Sequence, residues 1–194
     1  MSERTPSCAT GATSAHSLKV RLGEVCEIVM GQSPDSESYN MAGDGLPFYQ
    51  GNADFGYRWP TPRVWCNSPT KIAEPGDILI SVRAPIGALN FASERCCIGR
   101  GVAALQVRQG NDSLFVYFAL KCRTVDLNVR GTGSTFKAIN KKALAETLIP
   151  HPPLFVQRQI AARLDRICEI VAKRKTQLAQ LQQLVKSRFV REAA

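Results

Sequence analysis

The sequence predicts an α+β fold: one mixed, loop-rich domain followed by a long C-terminal α-helix that forms an intermolecular coiled coil. Three observations carry this prediction. Up to residue 155, short apolar runs bounded by Gly, Pro and Asp alternate with helix-capping residues. The string Pro150-His151-Pro152-Pro153 then interrupts any continuing helix or central strand. From Val156 to Val190 there is neither Pro nor Gly, and apolar residues recur at heptad spacing.

Residues 1–17 are rich in Ser, Thr and Ala, with no apolar stretch after a basic start, so a flexible N-terminal tail is expected rather than a signal peptide. The domain is expected over residues 18–155. Within it, Gly31–Pro69 is rich in Gly, Pro, Asn and Ser with scattered aromatics, a loop-heavy stretch of the kind that carries function on a rigid scaffold. Pro47–Gln50 is a short strand candidate there, and Trp59 and Trp65 read as packing residues under the loop. A Pro75-Gly76-Asp77 turn leads into a strand over Ile78–Val82, and Val102–Val107 makes another. Asp112 is placed to cap a helix over Ser113–Cys122, with Phe115, Phe118, Ala119 and Cys122 on one face. Asn140 caps a short helix through Glu146, and Thr147–Ile149 is a last short strand.

The helix after the prolines, expected over residues 156–190 with a tail at 191–194, carries a seam of Ile160, Leu164, Ile167, Val171, Leu178, Leu181 and Val185. The steps are 4, 3, 4, 7, 3 and 4, a heptad pattern whose one vacancy is filled by Arg174. Such a helix is about 52 Å long at 1.5 Å per residue. That exceeds the width of a small domain, so the seam is read as a dimer interface and not as a helix packed along its whole length on its own domain.

The 194 residues carry a net charge of +9, with 44% hydrophobic and 21% charged residues. Sixteen basic and thirteen acidic residues precede Val156, a net of +3; nine and three follow, a net of +6. This balance favours an anionic partner, of which nucleic acid is the commonest. No apolar run is long enough to span a membrane. The seven cysteines include no C-x-x-C pair, and His16 and His151 lie far from any cysteine cluster, so no metal site is expected. Reduced thiols packed as small hydrophobes, in a cytoplasmic protein, are the expectation. No phosphate-binding G-x-x-x-x-G-K loop, no G-x-S-x-G elbow and no glycine-rich cofactor loop occurs. His151-Pro152-Pro153-Leu154-Phe155 has His where an amino-methyltransferase motif needs Asn or Asp. The chain is therefore expected to need no cofactor and to catalyse nothing itself.

Several strings resemble the target-recognition domains of type I restriction-modification specificity subunits. They are Gly31-Gln32-Ser33-Pro34, Gly45–Gly51, Glu74–Gly87, Ile98–Leu105, Gly133-Ser134-Thr135-Phe136 and Pro152–Asp165, in family order and spacing from Leu18 to Asp165. The family often has Glu where this chain has Val156. The resemblance implies a half-length specificity subunit with one recognition domain and one long helix, where full-length members have two of each with the helices antiparallel. It also implies double-stranded DNA as ligand, an adenine methyltransferase subunit and an endonuclease/translocase subunit as partners, and a homodimer presenting two domains to a bipartite site.

The candidate DNA-binding residues lie on loops at strand ends: Gln32, Gln50, Asn52, Arg83, Arg100 and Lys137. Arg matches guanine, and Gln or Asn matches adenine, by bidentate geometry in the major groove. Lys137, beside the Gly-Ser-Thr string, suits a phosphate. Three rival readings stand beside this one. A coiled-coil scaffold would bind no DNA. A single-strand binder would stack bases on Tyr49, Phe55, Tyr57 and Trp59. An enzyme would use a reactive thiol of the Cys96-Cys97 pair.

Overall fold

The structure is a computed structural model that describes residues 18–132 and 137–192, with the side chains of the last helix described as far as residue 185. The expected N-terminal tail (with Cys8 and His16), the Gly133–Phe136 string and residues 193–194 lie outside the described residues. In chain order the elements are β1 (Lys19–Arg21), α1 (Leu22–Val25), β2 (Cys26–Met30), β3 (Tyr39–Asn40), β4 (Leu46–Tyr49), β5 (Trp65–Cys66), β6 (Ile72–Ala73), β7 (Ile78–Ser81), β8 (Leu89–Phe91), β9 (Cys96–Ile98) and β10 (Val102–Val107). Then follow α2 (Ser113–Lys121), α3 (Thr124–Arg130), α4 (Lys141–Ala145), β11 (Leu148–Pro150) and α5 (Leu154–Glu192). The chain is thus mixed α+β with a long C-terminal helix. No helix among the described residues is long and apolar enough to cross a membrane.

The strands form a four-stranded antiparallel sheet, β2-β10-β7-β8, a five-stranded sheet, β3-β5-β4-β9-β6, in which β4 and β9 run parallel, and the pair β1-β11. The runs Ile78–Ser81 and Val102–Leu105 are apolar without alternation because both faces of the four-stranded sheet are covered. Ile78, Ile80, Ala103 and Leu105 face a core shared with Phe115, Val116, Leu120, Leu127 and Ala161 of the helices. Leu79, Val102 and Ala104 face the other way, onto Tyr49, Ala73, Cys96 and Ile98 of the five-stranded sheet. The architecture is therefore three layers: helices, sheet, sheet. Each fully buried Leu or Ile in it contributes about 1.5–3 kcal/mol.

Asp112 caps α2, its Oδ1 accepting from Phe115 N at 2.8 Å, and Asn140 caps α4 by accepting from Ala143 N at 2.8 Å. The single apolar face expected for α2 is too narrow. All residues from Phe115 to Leu120 are buried, because the helix lies between the sheet and the first turns of α5, and Cys122 is exposed. The stretch Gly31–Pro69 is more structured than its composition suggests, since it supplies β3, β4 and β5. Trp59 does not pack under the loop: it is half exposed, with one side against Phe91.

Helix α5 begins at Leu154, two residues before the expected start, and runs through Glu192. Pro152 and Pro153 sit just before its first turn, where a missing N–H costs nothing, and Pro153 O accepts from Val156 N and Gln157 N. Its root is held by the domain. Gln157 and Ala161 are buried, and Leu164 and Cys168 pack half-buried against the helical core. Farther along, Ile167, Val171, Leu178, Leu181 and Val185 are each about half exposed or more. The seam is thus not uniform: Leu164 partly joins its own domain. With Ile160 it walls an apolar groove of about 500 Å³ that is also lined by Phe118, Cys122 and Pro150.

Candidate nucleic-acid interface

Several chain segments arrive together at one end of the two sheets. β2 continues into Gly31 and Gln32, β4 into Gln50, and β7 into Val82 and Arg83, while Gly99–Gly101 turns from β9 into β10. Backbone hydrogen bonds join them: Gly31 N to Val102 O (2.9 Å), Gln32 N to Ile98 O (3.0 Å), Gly99 N to Tyr49 O (2.9 Å) and Val82 N to Gly101 O (2.9 Å). Ala84 N donates to Lys137 O at 3.1 Å, which brings the last candidate to the same end. Glycine is required where these turns touch. A Cβ on Gly101 would lie 2.1 Å from Gln50 O, and one on Gly31 would lie 2.2 Å from Gly99 O.

All six sequence-predicted residues are exposed on these joined turns. Gln50, Asn52 and Arg83 line one open cleft of about 760 Å³, together with Arg63, Met41, Phe48 and Pro85. Gln32, Arg100 and Lys137 do not line it. Gln32 and Arg100 occupy an adjoining corner, where Gln32 O accepts from Thr70 Oγ1 (2.8 Å) and Arg100 Nε donates to Ser33 Oγ (3.4 Å). Among the described residues, the side chains of Gln32, Gln50, Asn52, Arg83 and Lys137 have no hydrogen-bond or ion-pair partner in the chain. They are not spent on capping their own loops.

The scaffold under the cleft is specific. Asn128 of α3 accepts from Ile86 N (3.2 Å) and donates to Ile86 O and Thr124 O, fixing the turn that carries Arg83. Asp54 is buried, and its Oδ2 accepts from Gln50 N (2.7 Å) and Gly51 N (3.3 Å). Its Oδ1 accepts from Arg63 Nε (3.1 Å) and Nη2 (2.5 Å). Sequence reasoning missed Asp54, Arg63 and Met41. The readable signal was the Asp three residues after Gly51, a capping spacing that pins a tight turn. Nothing local marks Arg63, which reaches the cleft only because the chain folds back through Phe55 and Pro60.

The same geometry weighs the rival readings. Tyr49 is buried and cannot stack on a base, and Phe55 is half-buried, leaving Tyr57 and Trp59. Cys96 and Cys97 are wholly buried, and burial pushes their thiols up to about 12 and about 11. They are protonated at neutral pH and have no access to a substrate.

A rigid double-sheet scaffold that presents polar and basic side chains on joined turns at one end, carried on a projecting helix, defines a recognition module. The model of the type I restriction modification DNA specificity domain matches residues 17–183, and the chain belongs to this family. It is 46% identical over 156 residues to a Methanocaldococcus jannaschii protein named as a specificity subunit of the type I restriction enzyme MjaX, covering 78% of this chain and 37% of that protein. A solved type I R-M system, described for its complex assembly and conformational transition, contains a chain 49% identical with a TM-score of 0.81, over 92% of this chain and 45% of that one. The HsdS subunit from Thermoanaerobacter tengcongensis is 50% identical with a TM-score of 0.74, over 84% of this chain and 40% of that one. The chain thus spans less than half the length of each of these relatives.

Proposed function

We propose that this chain reads double-stranded DNA as a non-catalytic specificity component of a type I restriction-modification complex, and that two copies pair through α5 to present two recognition domains to one bipartite site. The observation that carries the DNA reading is the gathering of unpartnered Gln50, Asn52 and Arg83 round one cleft, with Gln32, Arg100 and Lys137 on its margin. Arg83 and Arg100 suit guanine, Gln32, Gln50 and Asn52 suit adenine, and Lys137 suits a phosphate. The recognition unit is residues 18–155, with 156–190 as dimerisation and spacer helix.

Pairing is supported by the exposed apolar face of α5 from Ile167 to Val185. An antiparallel pair of these helices has a register that uses every seam position. Ile160 meets Val185 of a second copy, Leu164 meets Leu181, Ile167 meets Leu178, and Val171 meets Arg174. The polar Arg174 near the middle costs some stability and fixes this register. The assembly acts in the cytoplasm with an adenine methyltransferase subunit, and an endonuclease/translocase subunit joins for cleavage.

The test is to select a random duplex library on the full chain, alone and with the methyltransferase subunit, beside a single-stranded library. Two half-sites in inverted repeat at a constant gap, bound less tightly as salt rises, are expected. Lack of any duplex binding would favour a coiled-coil scaffold, and preference for single strands would favour a stacking binder.

A further inference from the structure

We infer that Arg63 is a further specificity-determining residue that reads a guanine edge in the cleft, and that Asp54 is its positioning residue. The inference rests on the DNA-reading function proposed above. Asp54 binds Arg63 through Nε and one Nη2 hydrogen, both directed at Oδ1. Guanidinium has five N–H donors, so the Nη1 hydrogens and the second Nη2 hydrogen remain. They form the end-on edge that matches O6 and N7 of guanine in bidentate fashion. The Arg63 side chain is 60% exposed, which keeps that edge accessible, and it lines the cleft beside Gln50, Asn52 and Arg83.

The arginine is also held from behind. Its neighbour Val64 accepts from Phe48 N at 2.8 Å, and Thr61 N donates to Asp54 O at 2.9 Å, so the backbone before and after Pro62 is tied to β4 and to the Asp54 turn. The same carboxylate fixes the Gln50-Gly51 backbone. One buried group therefore sets two readers at once. Pairing with a carboxylate also offsets much of the attraction of Arg63 for phosphate, while leaving its geometry available for a base.

The experiment compares the full chain with Arg63→Gln and Asp54→Asn on the same random duplex library. The unchanged chain selects G·C at one position that Arg63→Gln relaxes by roughly 5- to 100-fold, with other positions and the salt dependence unchanged. Asp54→Asn relaxes that position and the one read by Gln50. A second arm leaves the protein intact: 7-deazaguanine at the selected position removes N7 and reproduces much of the Arg63→Gln loss. A selective unchanged chain whose preferences survive Arg63→Gln would overturn the inference alone. So would a uniform loss of affinity with a shallower salt dependence, the signature of a phosphate contact. An unchanged chain that selects no sequence would overturn the DNA-reading function and this inference with it.

Discussion

The Arg58 guanidinium forms an ion pair with the Asp165 carboxylate, linking the loop that follows the Gln50–Asn52 turn to the fourth turn of α5. Tyr57 reinforces the link by donating its hydroxyl to Cys168 O at 3.0 Å. On its other side the loop is clasped by Asn90, which accepts from Gly56 N and donates to Gly56 O, both at 3.0 Å. The chain that ends the cleft is therefore braced between the sheet and the long helix.

Removing the ion pair should loosen that brace without disturbing the core. Both side chains are about three-quarters shielded from solvent, which places the pair toward the upper end of what surface pairs contribute, about 1 kcal/mol. A double-mutant cycle of Arg58→Ala and Asp165→Ala, read by urea denaturation, should give a coupling of that size. Hydrogen exchange of α5 around residue 165 should quicken in either single variant. Additive losses with unchanged exchange would mean that the helix is held by its apolar root alone.

Gln157 makes the stronger prediction for the helix root. It is buried, its Oε1 accepts from Asp112 N at 3.0 Å, and its Nε2 donates to Pro152 O at 2.9 Å. It thereby joins the cap of α2 to the start of α5. Gln157→Ala strands two polar groups and should cost about 1–3 kcal/mol in chemical denaturation. Gln157→Glu keeps the acceptor but turns a carboxylate oxygen toward the Pro152 carbonyl. Burial, with Asp112 N as donor to one oxygen and the Pro152 carbonyl facing the other, would hold that carboxyl above the ordinary glutamate value of about 4.3. A raised value means that the folded state holds the extra proton, so the variant should be most stable in acid and lose stability as pH rises through the shifted value. A flat difference between Gln157→Glu and the unchanged chain from pH 4 to 8 would refute this.

How much of this was readable in the sequence depends on the range of the cause. Asp112 and Asn140 announce α2 and α4 because a cap acts within three residues. The heptad seam announces α5 because periodicity is local, and the resemblance strings correctly gave the family. The six candidate readers are each legible singly, as polar residues at strand ends. The sequence could not say that the strand ends share one side of the molecule, since that follows from the β4-β9 and β2-β10-β7 pairings. Arg63 was missed for the same reason, because its partner Asp54 and its neighbour Gln50 become a unit only after the chain folds back. The very short strands β3, β5, β6 and β9 were missed because two or three residues carry no periodicity. α5's first turns read as free seam although Leu164 packs half-buried against its own domain, which depends on where α2 lies.

The thiols give a chemical prediction that the fold alone decides. Cys26, Cys66, Cys96 and Cys97 are buried, and burial pushes Cys26 and Cys96 up to about 12 and Cys97 to about 11. Cys122 is exposed and Cys168 is intermediate. Alkylation of the folded protein at pH 8, followed by peptide mass spectrometry, should label Cys122 rapidly and leave those four buried sites unmodified until denaturant is added. Raising the pH to 9 should not open Cys26, Cys96 or Cys97, because their thiols stay protonated. Fast native labelling of Cys96 would show that the interface between the two sheets opens readily, and fast labelling of either Cys96 or Cys97 would revive a reactive-thiol role.

The seam on α5 links stability to the geometry of the proposed DNA site. In a symmetric pair each substitution acts twice. Leu178→Asp removes two apolar contacts, each about 1.5–3 kcal/mol when buried, and sets a charge in their place. Sedimentation equilibrium should show dimerisation weakened by at least roughly 100-fold. Arg174→Leu fills the vacancy and should tighten the dimer, while loosening its choice of register. Inserting one whole heptad in the middle of α5 preserves the seam and lengthens the helix by about 10.5 Å. At 3.4 Å per base step this moves the two recognition domains apart by about 3 base pairs. The selected half-sites should therefore keep their sequences while the gap between them grows by that amount. An insertion of five residues instead rotates the seam off its partner and should abolish dimerisation. Half-sites whose gap ignores the heptad insertion, in a variant that still dimerises, would show that α5 does not set the spacing.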